Sequence, residues 1–204
     1  GQTQVQHYVV HRVQHMAADV VAVIAAAGEA SAHVIGFSMG GMIAQQLVID
    51  FPQRVRSLAL LGTHSGGPWA VQAEPKVRQL LFDKATMSAE DSLRAMRPHT
   101  YARDTADALF DEDALVRLAN QPRARDYQAQ LYALIGWSAY LDLPRFKCPT
   151  LVMHGLQDEL IPPANARRTA ERIRGAQLIE LPDASHWLMT DQNAQVIDAL
   201  REHI

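Results

Sequence analysis

Four short apolar runs, alternating with helix-like segments, are the feature that most constrains how this chain can fold. They lie at 33–37, 57–61, 150–153 and 177–181. Helix-like patterns fill the spaces between them, and the last two helices are predicted at about 164–174 and 192–203. Strands that are joined by helices pair in parallel through right-handed crossovers. The sequence therefore predicts an α/β fold with a parallel sheet that is covered on both faces.

The N-terminal part predicts an amphipathic helix rather than a membrane span. The longest apolar run, 20–27, is much shorter than the about 20 residues that a bilayer requires. Apolar residues recur here at three- and four-residue steps, as on one face of a helix. They are Val13, Met16, Val20, Ile24 and Ala27. We expect no membrane association and a cytoplasmic location.

Composition argues against several classes of protein. The chain has 204 residues with 19 basic and 22 acidic side chains, and its net charge of -3 argues against binding to a nucleic-acid backbone. Its single cysteine, Cys148, excludes an intramolecular disulfide and a thiolate zinc cage. His7, His11, His15 and Asp19 recur at four-residue steps, but no glutamate partner of the metalloprotease type accompanies them. We therefore expect a solvated helix face there and no metal site.

A long segment between the second and third runs predicts only helices. Ser88 begins a sequence that is typical of a helix N-terminus. The segment is too long for a simple connection between two strands. We therefore predict a helical cap at 64–145 and a core formed by 1–63 and 146–204. Further helices are predicted within the cap at 111–120 and 122–137.

A G-x-S-x-G motif stands at 36–40, directly after the first predicted strand and before a helix. The pattern alone is weak, and its position between strand and helix strengthens it. On so tight a turn, side chains at Gly36 and Gly40 would collide with the backbone. The turn would raise the Ser38 hydroxyl above the sheet and direct the backbone N–H of Met39 at an oxyanion.

Two later residues have the right place and chemistry to activate this serine. A serine hydroxyl needs a base to take its proton, and the base needs an orienting acid. Asp158 lies five residues after the third predicted strand and His186 five after the fourth, so both belong to the loop edge where Ser38 is expected. Asp183 and Glu159 are the alternatives for the acid, but each requires a different loop geometry.

The sequence resembles the α/β-hydrolase family, in particular its capped serine hydrolases, which include enol-lactonases, proline iminopeptidases and cofactor-free haloperoxidases. The matching stretches are 32–41, 149–163 and 181–187. The resemblance implies Ser38 as the nucleophile, His186 as the general base and Asp158 as its orienting carboxylate. It also implies hydrolysis of a small-molecule carboxylic ester or lactone without a cofactor. Perhydrolysis, as in the haloperoxidase-like relatives, and C–C bond hydrolysis on the same triad are the alternatives.

Three aromatic residues are expected to contact the substrate. Phe37 precedes the serine, and Trp69 and Trp137 belong to the predicted cap, which would close over Ser38. The resemblance places the choice of substrate in this cap. A fold alone does not fix a substrate.

The chain departs from the family pattern ahead of the motif. Family members begin with four strands and a helix, and the loop after their third strand supplies a second oxyanion donor. Without those strands, the strand at 34–37 becomes an apolar edge, which proteins normally pair or cover. Three interpretations follow: a fragment of a longer enzyme, an assembly in which a second chain covers this edge, or a non-catalytic α/β domain that associates through it.

Overall fold

A computed structural model describes residues 12–83 and 86–204, and these residues contain one sheet of four parallel strands. The strands are β1 (Ala32–Phe37), β2 (Val55–Leu61), β3 (Thr150–Gly155) and β4 (Gln177–Leu181). They lie side by side in chain order, and each pairs in parallel with the next. The predicted α/β fold with a parallel sheet is confirmed. β2 begins two residues earlier and β3 ends two residues later than the sequence predicts.

Helices precede, connect and follow the strands. In the described ranges they are α1 (Val13–Ala26), α2 (Met39–Asp50), α3 (Pro75–Asp83), α4 (Ala89–Thr100), α5 (Asp107–Ala119), α6 (Ala124–Ala133), α7 (Ala164–Arg172), α8 (Leu188–Asp191) and α9 (Asn193–His203). The helix predicted at 192–203 is therefore preceded by a separate short helix. None of the helices in this part of the chain combines the length and the apolar character needed to cross a membrane.

Alternate side chains of β2 face two separate hydrophobic cores. Leu58 and Leu60 pack in a core with residues of α1, α2 and α7. Ala59 and Leu61 pack in a second core with residues of α8 and α9. Since successive side chains of a strand point to opposite faces, the two cores cover the two faces of the sheet. This explains why the strand is an unbroken apolar run, as is typical of parallel sheets.

The connection between β2 and β3, residues 62–149, is called the insertion below. It contains α3 to α6 and, in the described residues, one isolated bridge between Gly66 and Ser138 instead of a strand. The predicted helix start at Ser88 is confirmed, because its hydroxyl oxygen accepts the backbone N–H of Asp91. α5 begins four residues earlier than its predicted helix, and α6 is shorter than predicted at both ends.

The insertion has a small apolar cluster that packs against the loop after β4. Leu93, Tyr101 and Phe110 form this cluster, and Trp187 packs onto it. The insertion therefore contacts the residue next to His186. Its treatment as a cap over 64–145 stays a prediction.

β1 lies at one edge of the described sheet, next to β2. Its Ile35 is 50% exposed, whereas the residues of β3 are all buried. Among the residues that the structure describes, β1 is thus the edge strand that the sequence predicts.

Helix α2 crosses very close to β1, and a glycine makes this possible. A Cβ at Gly36 would lie 2.6 Å from the Gly40 carbonyl oxygen and 2.7 Å from the Gly41 Cα. The expected collision at Gly36 is confirmed. The expectation for Gly40 is wrong, since a Cβ there meets nothing within 4 Å. A Cβ at Gly41 would instead lie 2.6 Å from the Thr63 side chain.

We predict that Gly36→Ala and Gly40→Ala affect stability in opposite directions. Gly36→Ala forces backbone atoms of α2 away from β1, and we expect it to lower the free energy of unfolding by about 1–3 kcal/mol. Gly40→Ala, the matched control, should raise it by up to about 1 kcal/mol, because alanine favours a helix. Urea unfolding measures both. Equal effects of the two substitutions would contradict the proposed close approach.

Candidate active site

Ser38 sits on a strained turn between β1 and α2. Its φ of 51° makes it the one non-glycine residue with a positive φ in the described ranges. Such backbone is costly and persists only where its surroundings fix it. The Ser38 N–H donates to the Leu61 carbonyl, and the Thr63 hydroxyl donates to the Ser38 carbonyl at 2.7 Å. The end of β2 therefore holds the serine in place.

Ser38, His186 and Asp158 form one chain of hydrogen bonds. His186 Nε2 lies 3.0 Å from Ser38 Oγ, and His186 Nδ1 lies 2.8 Å from Asp158 Oδ2. The three residues follow β1, β4 and β3, whose carboxyl ends meet at one edge of the sheet. The imidazole is 3% exposed, and the Asp158 side chain is fully buried. The structure thus brings together the three side chains that the sequence predicted to meet.

The two alternative acids lie elsewhere. The Glu159 carboxylate lies 2.7 Å from His99 Nδ1. Asp183 is exposed, and its backbone carbonyl accepts a hydrogen bond from Gln192. Of the three candidates, the contact with His186 thus belongs to Asp158.

The Asp158 carboxylate is ionised despite its burial. Oδ1 accepts the backbone N–H groups of Leu160 and Ile161 at 2.9 and 2.7 Å, while Oδ2 accepts the His186 proton. Burial by itself would raise the pKa of this carboxyl, but His186 and then His154 oppose it, so that the pKa lies below its ordinary value of 3.8. The carboxylate therefore keeps its charge at neutral pH.

His154, which the sequence predicts to pack beneath the loop of Asp158, lies directly beside the Asp158 carboxylate. Its Nε2 lies 2.8 Å from the Ile161 carbonyl oxygen and 3.2 Å from Asp158 Oδ2. Both oxygens are acceptors, so this nitrogen carries the proton, donates to the carbonyl and lies in contact with the carboxylate. The neighbouring His64 is neutral, because burial and then His154 lower its pKa to about 4. The signal for this prediction was the place of His154 directly after the third predicted strand and four residues before Asp158.

The backbone N–H of Met39 lies at the start of α2, the place where the sequence predicts an oxyanion donor. Met39 is the first residue of the helix and follows Ser38 directly. The first N–H groups of a helix have no partner within it and carry the positive end of its dipole. This N–H is thus suited to stabilise negative charge that develops beside the serine.

Two aromatic rings, those of Phe37 and Trp187, lie beside the His186 imidazole. The centroid of the Phe37 ring lies 4.9 Å from those of both His186 and Trp187. Phe37 therefore lies at the site, as the sequence predicts. Trp187 was missed, although it follows the histidine directly, and its other contacts are in the insertion, where Arg117 lies over its ring at 4.1 Å.

Trp137 and Trp69 have other contacts than those expected. Trp137 is 7% exposed in the core of α1 and α2, and its indole N–H donates to Gln46. The prediction that Trp137 contacts substrate is corrected, since its ring fills the core. Trp69 stacks on Tyr140 at 4.8 Å, and its carbonyl accepts a hydrogen bond from Arg168. Neither indole is part of the aromatic pair at His186.

The histidine row of the N-terminal segment is only partly described. His15 and Asp19 are exposed on α1, whereas His7 and His11 lie outside the described residues. Within 12–83 and 86–204, no group of three or more His, Cys, Asp or Glu side chains is placed to hold a metal ion. Cys148 is partly buried and free.

Fold and site together define a class: a parallel α/β protein with a hydrogen-bonded serine, histidine and aspartate at the carboxyl edge of its sheet. A family model described as alpha/beta hydrolase fold matches residues 6–192. The chain belongs to this family.

Two curated relatives are about a third identical to this chain over the residues that align. The poly(3-hydroxyalkanoate) depolymerase of Ectopseudomonas oleovorans is 32% identical over 79% of this chain and 57% of its own length. The pimeloyl-[acyl-carrier protein] methyl ester esterase of Chromobacterium violaceum is 30% identical over 92% of this chain and 76% of its own. The chain thus spans little more than half of the depolymerase.

Solved structures of the same fold superpose on most of the chain. An esterase from Exiguobacterium antarcticum has a TM-score of 0.79 at 21% identity, over 95% of this chain and 74% of its own. The enol-lactonase from Burkholderia xenovorans LB400 has a TM-score of 0.77 at 24% identity, over 97% of this chain and 78% of its own. These likenesses show the shared fold.

We predict that His154→Leu destabilises the protein at pH 7, because it leaves the buried Ile161 carbonyl without its donor. The expected loss is about 1–3 kcal/mol of unfolding free energy. His154→Gln, whose amide N–H can reach the same carbonyl, should recover most of it. The pKa of Asp158 is lower in the folded state than its ordinary value of 3.8. The stabilisation of the folded state by the ionised Asp158 is therefore complete above pH 3.8 and is lost only as the pH falls through the folded-state pKa. Urea unfolding at pH 7 therefore isolates the histidine, and equal losses in the two variants would refute this assignment.

Proposed function

We propose that this protein is a serine hydrolase that cleaves a carboxylic ester or lactone through an acyl-enzyme. The observation that carries the proposal is the continuous hydrogen bonding from the buried Asp158 carboxylate through His186 to Ser38. The activities after which two relatives are named support the same class of bond, since one is a methyl ester esterase and one a poly(3-hydroxyalkanoate) depolymerase. The proposed substrate is a small-molecule ester or lactone.

In the proposed mechanism, His186 Nε2 accepts the Ser38 proton while Oγ attacks the substrate carbonyl. Asp158 holds the Nδ1 proton of His186 and stabilises the imidazolium that forms. The carbonyl oxygen becomes negative and receives the backbone N–H of Met39. When the tetrahedral intermediate collapses, the proton passes from His186 to the leaving alkoxide. Water then attacks the acyl-enzyme while His186 accepts its proton. The second tetrahedral intermediate releases the acid, and the proton passes from His186 back to Ser38 Oγ.

Phe37 is the proposed substrate contact among the three aromatic residues considered from the sequence. Its ring packs beside the imidazole that takes the serine proton. Residues 64–145 are the proposed cap, because the apolar cluster of the insertion already packs on Trp187. In this proposal, the substrate binds between Phe37 and the cap, whose shapes determine which acyl and leaving groups fit. The cytoplasmic location stays a prediction from the sequence.

We predict that Ser38→Ala abolishes labelling by a fluorophosphonate probe and lowers ester turnover roughly 10⁴- to 10⁶-fold. The probe reacts with a serine hydroxyl only when a base activates it, so labelling reports the proposed chain of groups directly. Ser185→Ala is the control, because it removes the hydroxyl of the residue before His186, which has no part in the proposed proton transfer. This variant should still be labelled. A panel of p-nitrophenyl esters and lactones measures turnover. Labelling that Ser38→Ala leaves intact would disprove the mechanism.

A second candidate function, association through β1, is favoured by the half-exposed Ile35 at the sheet edge. An open apolar edge offers unpaired backbone groups to another strand. We propose that a second copy of this chain covers β1. Light scattering during gel filtration should then give a mass above 22.6 kDa for the purified chain, and Ile35→Lys should shift it towards the monomer. A stable monomer of the unaltered chain would rule this out.

A further inference from the structure

The residues on both sides of His186 are held by hydrogen bonds, one of them directly to the insertion. The backbone N–H of Trp187 donates to the carbonyl of Thr100, the last residue of α4, at 2.9 Å. The backbone N–H of Ser185 donates to the Asp191 carboxylate at 2.7 Å. The position of the imidazole therefore depends on two contacts outside the proposed catalytic chain.

Asp191 is the side chain that connects the two segments. Its Oδ2 accepts the N–H of Ser185 and, at 3.1 Å, the N–H of Ala102 in the insertion. Its Oδ1 accepts the Thr105 hydroxyl at 2.6 Å. One carboxylate at the end of α8 thus binds the residue before His186 and the turn that follows α4.

We propose that Asp191 is a positioning residue, which uses these three hydrogen bonds to fix the His186 loop against the insertion and so keeps the imidazole within reach of Ser38. This inference rests on the proposed function. It adds that the insertion takes part in aligning the histidine as well as in covering the site. A displaced loop would leave Ser38 and Asp158 in place and separate His186 from both.

The three groups that donate to Asp191 require oxygen atoms in the right places, and they do not require a negative charge. An asparagine at 191 can present its carbonyl oxygen to the N–H groups of Ser185 and Ala102, and its amide N–H to the Thr105 hydroxyl oxygen. Burial raises the pKa of the Asp191 carboxyl, with smaller opposing effects from Thr105 and the backbone donors. The folded state thus disfavours the charge, and a neutral amide costs no stability on this account.

The test compares Asp191→Ala, Asp191→Asn and Thr105→Val, with Asp198→Ala as the control on an exposed carboxylate of α9. Asp191→Ala should slow fluorophosphonate labelling roughly 10- to 100-fold. Asp191→Asn should stay close to the unaltered chain. Thr105→Val removes one of the two donors that the insertion supplies to Asp191, and its labelling rate should fall between those of the other two variants. Thermal unfolding of each variant separates loss of alignment from loss of fold. If Asp191→Ala fails to fold, the other two variants decide.

A second readout does not require catalysis. The His186 Nδ1 proton is buried between the imidazole and Asp158, and proton NMR should show it as a low-field signal that is absent in His186→Gln. It should broaden by exchange with water in Asp191→Ala and persist in Asp191→Asn. An unchanged signal in Asp191→Ala, or its equal loss in Asp191→Asn at full stability, would overturn the inference. Absent labelling of the unaltered chain with this NMR pattern intact would count against the proposed function alone.

Discussion

The buried charge of Asp158 is the constraint on which the rest of the site depends. An ionised carboxylate inside a protein costs several kcal/mol unless its lone pairs are satisfied. Here two backbone N–H groups bind one oxygen, while His186 and the proton-bearing nitrogen of His154 face the other. These requirements fix the loop after β3. They also fix the orientation of His186, since only one of its nitrogens can donate to the carboxylate while the other faces Ser38.

The turn that carries Ser38 and the loop that carries His186 are also held by hydrogen bonds to other parts of the protein. The strained backbone of Ser38 is held by the end of β2, and the loop that carries His186 is held by Asp191 and by the carbonyl of Thr100. Neither loop is positioned by its own sequence alone. The insertion, which in the described residues adds helices to a parallel sheet, therefore belongs to the architecture of the site as well as to its surroundings.

Much of this arrangement could be predicted, but the packing around it could not. The strand pattern gave the parallel sheet, and the spacing of Ser38, Asp158 and His186 after three strands gave a meeting point that the distances bear out. The two tryptophans of the predicted cap show where prediction from the sequence fails. Trp137 lies in the same predicted segment as Trp69, yet its indole fills the core beside Gln46, because that segment returns to the sheet before β3. Gly40 and Gly41 show it too: only coordinates reveal which glycine meets Thr63.

The sequence by itself determined which segments form strands, and in a parallel sheet this suffices to bring the loops that follow them to one edge. It also determined the turn at Ser38, because the G-x-S-x-G motif at 36–40 can be recognised from the sequence. Tertiary structure alone decided the contacts between segments distant in sequence: His154 with the Asp158 carboxylate, Trp187 with Arg117, and Asp191 with Thr105. The physical reason is that periodicity reports the direction of a side chain relative to its own element. The partner it meets depends on how separate elements pack.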